Sequence, residues 1–210
     1  QGRLQHAAQA LNQAALTAQD DPRLHILGME LAEASGNAAG ALASAERAVR
    51  KSPQWAPGVM NLALLHARQN RFPEALQQAR QALDLAPGAG DLLEAAIQIA
   101  QRASDLHALR EWLEQALALR PGHAPHQLAL ADALLALGKP AQALSLYEAL
   151  AAGAEASHAA AGRAHALSTL GQREQALAAW DALLAQQPDN AAWAFQRALA
   201  AGETPPAQPP

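Results

Sequence analysis

At 210 residues, half of them hydrophobic, the chain is long enough to bury a sizeable core. A net charge of -4 with both signs interspersed leaves no basic block for nucleic acid or an anionic membrane surface, and the lack of cysteine excludes a disulfide framework and a cysteine-ligated zinc site. No apolar run approaches the roughly 18 residues of a membrane span, and the first residues carry no charged start followed by an apolar stretch of the kind that directs secretion.

Aromatic residues make up only 3% of the chain, and Ala, Leu, Gln, Glu and Arg far outweigh the β-branched residues that strands favour, so the fold class is all-α. In chain order, "QGRLQHAAQALNQAAL" opens at once as a helix over residues 1–19. From residue 22 a period of 34 sets in. Pro53, Pro87 and Pro121 stand 34 apart and Pro188 follows 67 later, each closing an apolar helical stretch. Proline ends a helix because it has no N–H to donate and its ring clashes with the preceding turn. Twelve and five residues before each proline stand Ala41 and Ala48, Ala75 and Ala82, Leu109 and Ala116, Ala176 and Leu183. A spacing of seven is two helical turns, so each pair faces one way.

Between helices lie "SGNAAGA", "QNRFPEA", "GKPAQA" and "GQREQA", where glycine or asparagine can take the left-handed conformation that closes a helix. Pro73 and Pro140 fall in the first turn of the next helix, where the missing N–H costs nothing. Each period is therefore a helical hairpin: 22–55, 56–89, 90–123, 124–156 and 157–190, followed by a lone helix over 191–201 and a proline-rich tail or linker over 202–210. Ala63, Ala131, Ala164 and Ala198 hold equivalent places in the first helices, with Met29 and Ile97 as departures. Two periods are irregular. The third has "ASDLHAL" without a turn glycine, where Ser104 or Asp105 caps the next helix, and Leu109 where alanine is usual; the fourth passes through "LAAGAEASHA" with Gly153 in place of the closing proline.

Small residues at these offsets in paired helices with a closing proline resemble the tetratricopeptide repeat family, over residues 1 to about 201. The resemblance implies a right-handed α-solenoid of about five full hairpins with a partial repeat at each end. Gly2, Ala7 and Ala14 match only a second helix and 191–201 only a first, so the sequence reads as a fragment. In this family the first helices line a concave face that holds a peptide or a partner's segment. Carried over position by position, that face holds Glu30, Glu33, Met60, Asn61, Leu64, Arg68, Glu94, Gln98, Arg102, Leu128, Asp132 and His165, with Ala161 and Thr169 beside them. The lysines and asparagines with which some members clamp a chaperone tail are replaced by Ile26, Glu30, Met60 and Leu64 around Asn61, which disfavours that ligand.

Candidate chemistry is sparse. His123 and His126 have a chelating spacing, but Pro125 and Gly122 put them at a hairpin junction without a third ligand in sequence, and a zinc site needs at least three. His158 and His165 lie seven apart on one helix, one exposed and one on the groove side. There is no phosphate-cradling glycine loop and no nucleophile elbow, so neither a catalytic residue nor a cofactor is expected. Trp112, Tyr147 and Trp180 occupy similar places in second helices and are expected to fill gaps between hairpins, while Trp55 and Trp193 stand at entries to first helices.

These features predict a non-catalytic scaffold that binds a protein segment, without nucleic acid or membrane as partner. The alternative is the targeting region of a larger bacterial enzyme, resembling repeat proteins fused to an S-adenosylmethionine-dependent methyltransferase or a sugar transferase. A third is a periplasmic assembly or export factor. Cytoplasm is the expected compartment, with the periplasm open.

Overall fold

The computed structural model describes residues 2–17 and 21–204. Its helices are α1 (Gly2–Thr17), α2 (Pro22–Ala34), α3 (Ala38–Lys51), α4 (Ala56–Arg68), α5 (Phe72–Leu85), α6 (Gly90–Ala103), α7 (Leu106–Leu119), α8 (Ala124–Ala136), α9 (Pro140–Ala149), α10 (Ala156–Thr169), α11 (Arg173–Gln186) and α12 (Ala191–Ala201). No strand occurs among the described residues. Residues 1, 18 and 19 of the expected first helix, and 205–210 of the proline-rich tail, lie outside them.

Helix boundaries follow from local chemistry. α3, α5, α7 and α11 end at Lys51, Leu85, Leu119 and Gln186, two residues before Pro53, Pro87, Pro121 and Pro188. Gly36, Asn70, Gly138 and Gly171 all turn with positive φ, between 59° and 74°. In the glycine-free turn the two polar residues divide the work. Ser104 takes the left-handed conformation at φ 54°, while the Asp105 carboxylate accepts from the N–H groups of His107 and Ala108 at 3.1 and 3.0 Å.

The chain divides into two compact units, residues 1–108 and 109–210, with the boundary inside α7. In the first unit, Met29 of α2 packs on Ala41 and Ala45 of α3 and on Leu62 and Leu65 of α4. In the second, Ala164 of α10 meets Trp180 and Leu183 of α11, with Trp193 and Ala200 of α12 packed alongside. Ala41, Ala48, Ala63, Ala75, Ala82, Ala131, Ala164 and Ala176 have no exposed surface. Each stands where a larger side chain would hold neighbouring helices apart, and interiors this dense leave no slack.

The second unit contains the irregular hairpin. α9 has 10 residues where α3, α5 and α11 have 14, and Gly153 follows it at φ 105°. Tyr147 near the end of α9 is 1% exposed and lies directly against the backbone of α10 at Gly162. A Cβ at position 162 would fall 2.3 Å from its Cζ. Trp112 and Trp180 are buried as well, so these three rings fill the core as their places in the repeat imply.

Candidate partner-binding surfaces

Each first helix keeps one open stripe. On α2 the stripe is Arg23, Leu27, Glu30 and Ala34; on α4, Pro57, Asn61, Leu64 and Arg68; on α6, Asp91, Ala95, Gln98 and Arg102. In the second unit it is Pro125, Ala129, Asp132 and Ala136 on α8, His158, Gly162, His165 and Thr169 on α10, where the Tyr147 ring covers Gly162, and Ala192, Gln196 and Leu199 on α12. All of these are exposed or half-buried, at spacings of four, three and four residues, which keeps them within a narrow arc of the helix. On α4 the remaining sides are closed, with nine of its thirteen residues buried.

This corrects two expected groove residues. Met60 and Leu128 are 2% and 6% exposed, because each stands one residue off the stripe and turns into the core. Glu33 and Glu94 are half-buried at its border, as is Ala161. Glu30, Asn61, Leu64, Arg68, Gln98, Arg102, Asp132, His165 and Thr169 lie on it. Asn61 apart, sequence reasoning missed the stripe's second position, and with it Leu27, which is 52% exposed. A shift of one residue separates the two patterns, and only burial on the flanking sides distinguishes them.

Within the first unit the stripes are tied edge to edge by arginines. Arg68 of α4 pairs with Glu33 of α2. One period later, Arg102 of α6 donates from Nη2 to the carbonyl of Ala67 at 2.8 Å. Both positive charges are thus turned back onto the preceding helix, and Glu30 remains exposed beside Leu27, Leu31 and Ala34 along a cleft of about 530 Å³ against α1. His66, midway between Leu64 and Arg68 in sequence, is 7% exposed with its Nδ1 unpartnered. Burial, with the Arg71 charge adding to it, holds its imidazole below the ordinary histidine range, and Glu74 and Glu46 only partly offset this.

In the second unit Asp132 joins two helices. Its Oδ1 accepts from the Tyr147 hydroxyl at 2.7 Å, and its Oδ2 lies 3.3 Å from Nε2 of His158 on α10. Burial pushes the Tyr147 phenol far up, and its bond to Asp132 pushes the same way, so it is a fixed neutral donor. His165 points into a separate cleft of about 480 Å³ between α10 and α12. Trp193 packs on the α10–α11 core, and Trp55 lies over Gly58 at the start of α4. The His123 and His126 rings pack 4.0 Å apart at the start of α8 with His126 buried; among the described residues no three His, Asp or Glu side chains gather as metal ligands. No helix among the described residues is long and apolar enough to cross a membrane.

Comparison with known proteins agrees with this architecture. The sequence model described as "Tetratricopeptide repeat" matches residues 30–90 and 161–203. No curated protein sequence matches the chain. Among solved structures, the chain is similar to YrrB, described as a tetratricopeptide repeat protein with an unusual peptide-binding site, at TM-score 0.70 and 20% identity, over 92% of this chain and 97% of that one. A tetratricopeptide repeat protein from Parabacteroides merdae superposes at TM-score 0.68 and 18% identity, over 88% of this chain and 75% of that one. PilF of Pseudomonas aeruginosa follows at 0.58 and 17%, over 97% and 91%. The chain carries tetratricopeptide repeats over residues 30–90 and 161–203, within an all-α solenoid fold that it shares with tetratricopeptide repeat proteins.

Proposed function

We propose that the chain is a protein-interaction scaffold that holds a peptide or an extended partner segment along the open stripes of its first helices. One observation carries this reading: along α4 the register Pro57, Asn61, Leu64 and Arg68 is left open while nine of the helix's thirteen residues are buried, and the same register recurs exposed or half-buried on the other first helices. Side chains as apolar as Leu27 and Leu64 on that line favour association.

The stripe of the first unit is amphipathic. Leu27 and Leu64 supply apolar contact, Glu30, Asn61 and Gln98 supply polar contact, and the arginines are held back by Glu33 and the Ala67 carbonyl. A partner would therefore meet a partly apolar surface of mixed charge. The test is affinity capture with the chain as bait and mass-spectrometric identification of what it holds. Leu27→Glu combined with Leu64→Glu should abolish capture with helicity unchanged in circular dichroism, whereas Gln77→Arg, on the exposed side of α5, should leave it intact. Equal capture by all three proteins would move the binding surface off the stripes.

A further inference from the structure

The cleft between α10 and α12 has a chemistry of its own. Its lining includes His165, Ser168, Thr169, Arg173, Gln196 and Leu199, and no carboxylate. Both hydroxyl protons are turned inward: Ser168 donates to the carbonyl of Ala164 and Thr169 to that of His165, each at 2.9 Å. Trp180 in turn donates to the Ser168 oxygen at 3.3 Å. Arg173 is the one permanent cation of the lining. Its Nη2 donates to the carbonyl of Ala201 at the end of α12, which lays the guanidinium across the cleft. A guanidinium carries five N–H donors, and the bond to Ala201 uses only one of them. The acid nearest the end of α12, Glu203, is held by Arg197 at 3.0 Å and so does not neutralise Arg173. Leu199 is 50% exposed on the same wall.

We propose that this cleft receives an acidic side chain of a partner segment, an aspartate or glutamate next to an aliphatic residue, with the carboxylate on Arg173 and the aliphatic group on Leu199. The assignment rests on the reading that the open stripes hold a partner, since His165, Thr169, Gln196 and Leu199 are stripe residues. A guanidinium fixed by one bond presents its remaining edge to a carboxylate in the two-bond geometry that arginine favours. Apolar contact alone would bind a neutral segment equally well, so the arginine makes the cleft selective for charge.

The test uses the full chain and three blocked dipeptides, followed by amide chemical shifts in two-dimensional NMR. Acetyl-Leu-Glu-amide should give saturable shifts confined to residues 165–173 and 196–201. Acetyl-Leu-Gln-amide, its neutral isostere, should bind at least about fivefold more weakly. Acetyl-Leu-Gln with a free terminal carboxylate should fall with the neutral peptide. Arg173→Gln should abolish the preference for glutamate with the rest of the spectrum unchanged. Equal binding of glutamate and glutamine peptides, an undiminished preference in Arg173→Gln, or tighter binding of the free terminus would each overturn the assignment. If Arg173→Gln captures partners normally while Leu27→Glu/Leu64→Glu does not, the cleft assignment fails and the stripe reading stands.

Discussion

His66 and Gly162 illustrate how single positions are fixed by what surrounds them. Because the folded chain holds the His66 imidazole below the ordinary histidine value of 6.5, the unfolded chain takes up the proton first as pH falls. The stabilising contribution is complete above that value and is lost below it. His25, lowered by burial and then by Arg47 and Lys51, acts with the same sign. The thermal midpoint should therefore drop between about pH 7 and about pH 5.5, and His66→Phe should flatten that slope; an identical slope in the variant would dissociate His66 from it. At position 162 any side chain meets the Tyr147 ring, so Gly162→Ala should cost about 1–3 kcal/mol in urea unfolding through overpacking. An unchanged midpoint would mean the ring moves freely aside. Neither residue was legible from its type alone. Glycine in "AAAGRAHAL" reads as a weak helix position until the tyrosine of the preceding helix is known to press on it, because that contact joins residues 15 positions apart.

Helices were the most legible level, since their ends depend on neighbours in sequence. Proline two residues past α3, α5, α7 and α11, glycine or asparagine at most turns, and alanine or leucine pairs seven apart fixed the hairpins before any packing was known. The third turn was legible only as a pair of candidates. Ser104 and Asp105 each had a role there, and which took the left-handed residue and which the cap depended on geometry. The open stripe was misplaced by one residue at Met60 and Leu128, because a pattern of apolar side chains cannot tell a helix closed on three sides from one closed on two. The buried alanines carry the interhelical spacing. Ala75→Leu, at a site with no exposed surface, should destabilise the chain by about 1–3 kcal/mol or more in denaturant unfolding. By contrast, Arg68→Ala should cost no more than about 1 kcal/mol, since its pair with Glu33 is half open to water. A larger loss for Arg68 than for Ala75 would reverse the account of what sets the spacing.

For the whole chain, the family follows from the repeat, whereas the partner does not, because binding depends on a surface that the core leaves free to vary. The two units differ on that surface. The first carries Leu27, Glu30 and Leu64 with its arginines tied back, and the second carries Asp132, His158 and His165 with Arg173 across its last cleft. Each unit is therefore expected to read a partner by its own chemistry. The most direct measurement is hydrogen–deuterium exchange of the chain with and without a partner recovered by capture. The account predicts slowed exchange in first helices, among α2, α4 and α6 or among α8, α10 and α12, with α3, α5 and α11 unchanged. Protection confined to those second helices would contradict it.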